Sequence, residues 1–121
     1  MSVASETLWS PGPQPSLLAS RVLASGELVF PPIPANSPLA ARHETTPIES
    51  IGVVYSHTVI YPNPKSGQAP YAVGYVDVPG PVRIFGRLEG ARRPVIGERR
   101  RARIDAVYGY VFEPVDTEAT A

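Results

Sequence analysis

The 121-residue sequence contains no cysteine and only two histidines. The absence of cysteine excludes disulfide bonds and thiol chemistry, and it leaves the redox compartment undetermined. No segment approaches the ~20 apolar residues of a membrane span, and the first residues have neither the basic nor the apolar region of a signal peptide. We therefore expect a soluble, cytoplasmic protein that does not contact a membrane.

Excess charge is also lacking. Charged residues make up 18% of the chain, the formal net charge is zero and 43% of the residues are hydrophobic. This composition argues against a disordered acidic tail and against a generally basic nucleic-acid binder. Fifteen prolines and ten glycines make long helices improbable, because proline removes a backbone donor and glycine costs conformational entropy. The length suits one module.

The strand pattern begins at residue 51. β-Branched residues dominate both faces of an alternating run over 51–60, and further strands are predicted at 71–78, 82–88 and roughly 101–112. A meander of three strands, a connection and a closing strand match a small Greek-key barrel. We therefore predict an all-β protein with a five-stranded OB-fold barrel.

The segment before the barrel divides into an arm and a small lobe. Residues 1–15 are rich in proline, which favours an extended arm, and Trp9 either anchors an interface or, as we expect, folds back onto the core. The lobe, 16–47, contains two short apolar runs that suit a hairpin, followed by a surface loop after residue 30. The predicted OB domain covers 48–113, and 114–121 is a predicted flexible tail.

The lobe carries the spacing of a zinc ribbon without its ligands. Val22, Ser25, Ser37 and Ala40 occupy positions with C-x2-C…C-x2-C spacing. Zinc is held by four N, S or O donors, and valine and alanine side chains have none. We predict a degenerate ribbon with no zinc, held together by apolar packing.

Together these segments resemble a known family, the acyl-CoA-associated OB-fold proteins, in which a rubredoxin-like zinc ribbon precedes an OB domain. The resemblance covers roughly residues 16–113, and the loss of all four cysteines is its main departure. The matching segments are the ribbon frame with Phe30-Pro31-Pro32, Gly52–Ile60, Ala69–Val78, Gly86–Gly90 and Ile96–Arg99.

Members of this family are non-catalytic companions of thiolase-like enzymes. The resemblance implies an accessory subunit, not itself an enzyme, in a hetero-oligomer with a thiolase-like acyltransferase or retro-aldolase. The partner would supply the catalytic residues, and the barrel would stabilise it and shape its acyl-CoA channel. No catalytic residue and no resident cofactor are expected in this chain.

An arginine cluster is the strongest charge signal. Eight of the eleven basic residues lie between Arg83 and Arg103, and all eight are arginine, which binds phosphates and carboxylates bidentately. The cluster is a site for coenzyme A phosphates, an interface for an acidic partner, or a solvated strand face. The predicted CoA-binding residues are Arg99, Arg100, Arg101 and Arg103.

Two other functional classes remain open. OB barrels often bind single-stranded nucleic acid through a basic groove with stacking aromatic residues; the neutral net charge makes this less favoured, so nucleic acid is not an expected partner. A small enzyme that uses His57 is the third hypothesis. Ser56 and His57 are adjacent on a strand and point to opposite faces, so they cannot form a nucleophile–base pair.

Overall fold

The computed structural model describes residues 8–90 and 93–115. Its regular elements are eight β-strands and two short 3₁₀ turns, the latter at Ala40–Arg42 and Pro64–Ser66. The strands are β1 (Leu18–Val22), β2 (Leu28–Val29), β3 (His43–Pro47), β4 (Ile51–Ile60), β5 (Tyr71–Val78), β6 (Val82–Leu88), β7 (Arg99–Asp105) and β8 (Gly109–Pro114).

The last five strands close into a barrel in the order β4-β5-β6-β8-β7. Neighbouring strands pair antiparallel except β6 and β8, which are parallel and meet at Leu88 and Phe112. A five-stranded Greek-key barrel is the OB arrangement, so the predicted fold class is confirmed. The predicted bounds of β4, β5 and β6 agree with the structure.

The single closing strand predicted over 101–112 is wrong, because the structure divides this segment into β7 and β8. The Asp105 carboxylate accepts hydrogen bonds from the backbone N–H groups of Val107 and Tyr108, both at 2.9 Å, and so forms a tight turn. These hydrogen bonds lower the pKa of Asp105, and the bond from Tyr108 makes the largest contribution. Gly109 then adopts a φ of +87°, which favours glycine. The two strands form a hairpin.

A β-bulge in β4 changes which residues face the core. Val54 pairs with Val76 and Ser56 pairs with Tyr75, so Tyr55 is an extra residue in the strand. Before the bulge Val54 is buried, and after it the inward position passes to His57. The predicted alternation over 51–60 is therefore interrupted at Tyr55, which shifts the inward positions by one residue.

Gly74 lies opposite the bulge, where β4 and β5 approach closely. A Cβ atom at this position would collide with the carbonyl oxygen of Ser56 and lie 2.8 Å from the Cα atom of His57. Real Cβ atoms do not tolerate such contacts without movement of the backbone, so the close approach requires glycine here.

The N-terminal strands form a separate sheet in the order β2-β1-β3. The hairpin of β1 and β2 agrees with the sequence-based prediction. The segment after residue 30 was predicted to be loop throughout, and this is wrong at its end, because β3 pairs with β1 along five residues from Leu18 to Val22. The β-branched Thr45 and Thr46 favour the strand conformation.

The core joins the barrel to the N-terminal segment. Buried apolar side chains from both regions form one cluster. Trp9 is 7% exposed and its indole N–H donates to the carbonyl oxygen of Gly109 at 2.8 Å, so the prediction that Trp9 folds back onto the core is confirmed. Phe30 packs edge-on against Tyr110, with ring centroids 5.5 Å apart. The flexibility predicted for the arm and tail stays a prediction; residues 1–7 and 116–121 lie outside the described residues.

Candidate functional site

The four predicted CoA-binding arginines do not share one surface. They lie on β7, where successive side chains alternate between the outside and the inside of the barrel. Arg99, Arg101 and Arg103 are exposed, whereas Arg100 is fully buried. The structure therefore brings three of the four residues together on the outside and separates Arg100 from them.

Arg100 links both ends of the β6–β7 connection to β8 inside the barrel. Its Nε donates to Glu98 Oε2 at 2.8 Å, and its Nη1 donates to the carbonyl oxygens of Glu89 and Phe112. Nη2 also lies 2.8 Å from Glu98 Oε2, an ion-pair distance, although its geometry falls outside that of a hydrogen bond. A buried guanidinium requires such partners because desolvation of its charge is costly. Arg100 is thus occupied within the fold.

The three exposed arginines differ in their partners. Arg103 pairs with Glu113 at 3.0 Å and with Glu89 at 3.5 Å. Within the part of the chain that the structure describes, Arg99 and Arg101 have no carboxylate at ion-pair distance. These two guanidinium groups are therefore available to bind a phosphate or carboxylate.

Two further arginines, Arg83 and Arg87, stack on tyrosine rings. The guanidinium carbon of Arg83 lies 3.5 Å from the centroid of the Tyr55 ring. That of Arg87 lies between Tyr71, at 4.2 Å, and Tyr108, at 4.9 Å. These pairs were not predicted from the sequence. The available signal was arginine and tyrosine at outward positions of predicted strands. Arg83 and Tyr55, however, lie on β6 and β4, which β5 separates, and Tyr108 lies in the β7–β8 turn that was predicted as strand.

Carboxylates neutralise both stacked arginines. Asp77 accepts two hydrogen bonds from Arg83, at 2.7 and 3.0 Å, and this pairing raises the pKa of Arg83 above its usual value. Arg87 donates to Glu89 at 3.1 Å. The stacked guanidinium groups therefore add rigidity and surface shape, but they do not add unpaired positive charge.

A cavity of about 500 Å³ opens at the end of the barrel beside Arg87. Tyr61, Tyr71 and Arg93 contribute to its lining, and a second cavity of about 300 Å³ shares Tyr71 and Arg87 with it. Such walls can bind a planar or anionic group by stacking and charge. Neither lining includes a described residue of β7, and the first cavity approaches the predicted arginine site only through Glu89, the partner of Arg103.

The two histidines lie in different parts of the fold and have different surroundings. His57 is half-buried on the inner side of β4, and its Nδ1 is a buried atom with no hydrogen-bond partner among the described residues. His43 Nδ1 lies 2.8 Å from the carbonyl oxygen of Leu39. In the described ranges no group of three or more His, Asp or Glu residues is placed to hold a metal ion.

The ribbon frame does not fit a zinc ion. The hydroxyl oxygen of Ser25 accepts a hydrogen bond from the backbone N–H of Glu27, and that of Ser37 accepts one from the backbone N–H of Leu39. Both serines therefore stabilise turns, and the other two frame positions, Val22 and Ala40, have no donor atom. Four donors are needed for a structural zinc site.

Comparisons with known proteins identify the family. The family model described as "ChsH2, C-terminal OB-fold domain" matches residues 45–105. The benzoylsuccinyl-CoA thiolase subunit BbsA of Thauera aromatica is 35% identical over 81 residues, which are 66% of this chain and 56% of that protein. The BbsA subunit of Geobacter metallireducens is 33% identical over 79 residues, 65% of this chain and 54% of that protein. The chain thus spans little more than half the length of these curated relatives.

The fold is similar to that of a solved assembly. The structure of the Ltp2-ChsH2(DUF35) aldolase matches with a TM-score of 0.62 and 27% identity, over 82% of this chain and 84% of that chain. Among the described residues, no helix is long and apolar enough to cross a membrane. The family expected from the ribbon frame and the barrel strands is confirmed: the chain belongs to the OB-fold family that is represented by the C-terminal domain of ChsH2.

Proposed function

We propose that this chain is a non-catalytic accessory subunit of a thiolase-like acyl-CoA enzyme, which acts as an acyltransferase or a retro-aldolase. The observation that carries the proposal is the match of the barrel to proteins named as a thiolase subunit and as part of an aldolase assembly. The subunit stabilises its partner in a hetero-oligomer and forms part of the wall of the acyl-CoA channel. The partner supplies the catalytic side chains.

The exposed arginines on β7 are the proposed contacts to anionic groups. Arg99 and Arg101 have no carboxylate partner among the described residues, and Arg103 lies beside them. They bind either the phosphates of a CoA thioester or carboxylates on the surface of the partner. Arg100 takes no part, because its side chain is fully buried.

The proposal is tested by purifying the tagged chain from its native host. Mass spectrometry identifies the co-purifying proteins, and the eluate is analysed for CoA thioesters. We expect a thiolase-like subunit in stoichiometric amount, whose turnover falls when the accessory chain is removed and returns when it is added back. A monomer without such a subunit contradicts the proposal, as does a partner with full activity alone.

The arginine contacts are tested in the purified complex. Replacement of Arg99, Arg101 and Arg103 by alanine is expected to raise the Kd for the CoA thioester or for the partner at least tenfold, because the guanidinium groups of Arg99 and Arg101, which have no carboxylate partner in the described ranges, are removed together with that of Arg103. Arg42→Ala is the matched control, since Arg42 is exposed in the N-terminal lobe. Unchanged affinities in the triple variant would identify this part of β7 as a solvated strand face.

A further inference from the structure

The outer side of β4, β5 and β6 carries an exposed aromatic surface. Val53, Tyr55, Tyr75 and Phe85 are between 43% and 52% exposed and lie on adjacent strands. Tyr75 and Phe85 pack edge to face with centroids 5.2 Å apart, and Arg83 covers Tyr55. These four residues and Arg83 are called the aromatic face. Contiguous exposed apolar surface of this kind marks an interaction site.

A groove lies alongside the aromatic face. Its volume is about 650 Å³, and it runs along the junction of the barrel and the N-terminal lobe. Tyr75, Phe85 and Tyr110 line the barrel side, and Phe30, Pro31 and Pro32 line the lobe side. Among the described residues, Arg83 is the one charged residue of the lining. The groove can therefore accept apolar side chains without an unpaired charge being buried.

The pairing of charges on the aromatic face favours protein over nucleic acid. Single-stranded nucleic acid is bound by stacking together with unpaired cations that neutralise the phosphates. Among the described residues, Arg83 is the one cation within this face, and its guanidinium already donates two hydrogen bonds to Asp77. Arg99 and Arg101, which have no carboxylate partner in the described ranges, lie at one edge of the face and not among its rings. Tyrosine, arginine and phenylalanine on rigid strands are instead the composition of protein interfaces.

One edge of the aromatic face has a net positive charge. The strand registers place Arg99, Val53, Asp77 and Arg83 in one row across β7, β4, β5 and β6. Arg99 therefore adjoins the aromatic face, and Arg101 lies opposite Ile51 on the same side of β4. Neither arginine has a carboxylate at ion-pair distance in the described ranges. The complementary surface is thus apolar with carboxylates at one rim.

We infer that the aromatic face and its groove are the docking surface for the folded thiolase-like partner, which places apolar side chains against Tyr75 and Phe85 and a carboxylate against Arg99. The inference rests on the proposed function and assigns the surface through which that function is performed. The exposed arginines were proposed to bind either CoA phosphates or carboxylates of the partner. Because Arg99 lies beside Val53 at the edge of the aromatic face, the inference assigns Arg99 to a carboxylate of the partner.

The test measures the Kd between the full chain and the purified thiolase-like subunit by isothermal titration calorimetry. Tyr75→Ser/Phe85→Ser is expected to raise the Kd at least 100-fold, because two aromatic anchors are lost. Arg99→Glu is expected to raise it about tenfold at low salt and less at high salt, because ionic strength screens exposed charges. The melting temperature of each variant verifies that the fold is retained.

Leu23→Ser/Val107→Ser is the matched control. Leu23 and Val107 are 56% and 79% exposed and lie outside the aromatic face and the cavities described above, so their replacement is expected to leave the Kd within twofold. A Tyr75→Ser/Phe85→Ser variant that binds the partner like the unaltered chain overturns the docking surface and leaves the proposed function intact. Failure of the unaltered chain to bind any thiolase-like subunit overturns both.

A titration with a fluorescent oligo(dT) 20-mer tests whether the aromatic face binds single-stranded nucleic acid. We expect no saturable binding at physiological salt. Binding that is abolished in Tyr75→Ser/Phe85→Ser and falls steeply with salt would overturn the protein-docking assignment in favour of single-stranded nucleic acid.

Discussion

The barrel and the N-terminal sheet are stabilised in different ways. In the barrel every strand has a neighbour on both sides, and inward residues such as Val76, Ile84 and Phe112 are at most 1% exposed. The N-terminal sheet is open, and neither β2 nor β3 contains a buried residue. Its buried side chains belong to β1 and to Leu17 just before it.

This difference shows how a small lobe remains ordered beside a larger core. Leu17 packs in the shared core, and its carbonyl oxygen accepts a hydrogen bond from the N–H of Ile48 at 2.9 Å. Phe30 packs against Tyr110 of the barrel. A structural zinc ion contributes folding free energy within its own lobe; here the contacts between the lobe and the barrel make that contribution.

The largest loss of stability on substitution is expected inside the barrel, at Arg100. Arg100→Ala leaves Glu98 and two carbonyl oxygens without their buried donor, which costs about 3–5 kcal/mol and lowers the melting temperature by roughly 10 °C or more. Thermal unfolding followed by circular dichroism measures the change. Arg101→Ala is the control, since Arg101 lies on the same strand and is exposed. Equal melting temperatures for both variants would contradict the internal role of Arg100.

The next effect is expected at the junction of the two regions, at Trp9. Trp9→Ala removes a buried ring and the hydrogen bond to Gly109, with an expected loss of about 3 kcal/mol. Trp9→Phe retains most of the apolar surface and loses the donor, so a loss of about 1 kcal/mol is expected. Urea denaturation measures both. A Trp9→Ala variant as stable as the unaltered chain would show that the arm does not contribute to the core.

A smaller effect is expected within the N-terminal sheet. The Ser20 hydroxyl is buried and accepts a hydrogen bond from the N–H of Ile33 at 2.7 Å. Ser20→Ala is expected to cost about 1–2 kcal/mol in urea denaturation, because the N–H loses its acceptor. Ser25→Ala serves as the comparison, since water replaces the exposed Ser25 oxygen and the expected change is within about 0.5 kcal/mol. Equal losses of unfolding free energy in Ser20→Ala and Ser25→Ala would show that burial of the Ser20 hydroxyl does not determine the effect.

No effect is expected from removal of metal. Treatment with EDTA should leave the melting temperature unchanged, because Val22, Ser25, Ser37 and Ala40 do not supply four zinc donors. Differential scanning fluorimetry measures the temperature, and elemental analysis of the untreated protein measures bound zinc. A fall in melting temperature accompanied by stoichiometric zinc would show that a metal ion, and not contact with the barrel, stabilises the N-terminal lobe.

The barrel strands could be predicted where local pattern and turn chemistry agree. In β4, β5 and β6, runs of β-branched and aromatic residues end at turns that contain proline and glycine, and those turns fixed the bounds. The β7–β8 turn has no proline, and its closure depends on the Asp105 carboxylate, so one long strand was predicted. The bulge at Tyr55 depends on the pairing partner of β4, which periodicity does not reveal.

The candidate site was predictable only in part. Three of the four predicted CoA-binding arginines, Arg99, Arg101 and Arg103, are exposed, because alternation along β7 places them outside. The same alternation assigns Arg100 to the inner face with Ala102, so a signal for its burial was present. The predicted strand began at residue 101, so the alternation was not extended to Arg100. The stacking of Arg83 on Tyr55 joins β6 to β4 across β5, so it depends on the strand order of the barrel and not on the local sequence pattern.

The open N-terminal sheet has consequences for behaviour at high concentration. Its order places β2 and β3 at the margins, where unpaired backbone groups can recruit strands of another molecule. β3 ends at Pro47, and β2 is two residues long and is followed closely by Pro31 and Pro32. Proline cannot donate a ladder hydrogen bond, and a short strand offers little to pair with. The high proline content therefore protects the margins of this sheet from aggregation.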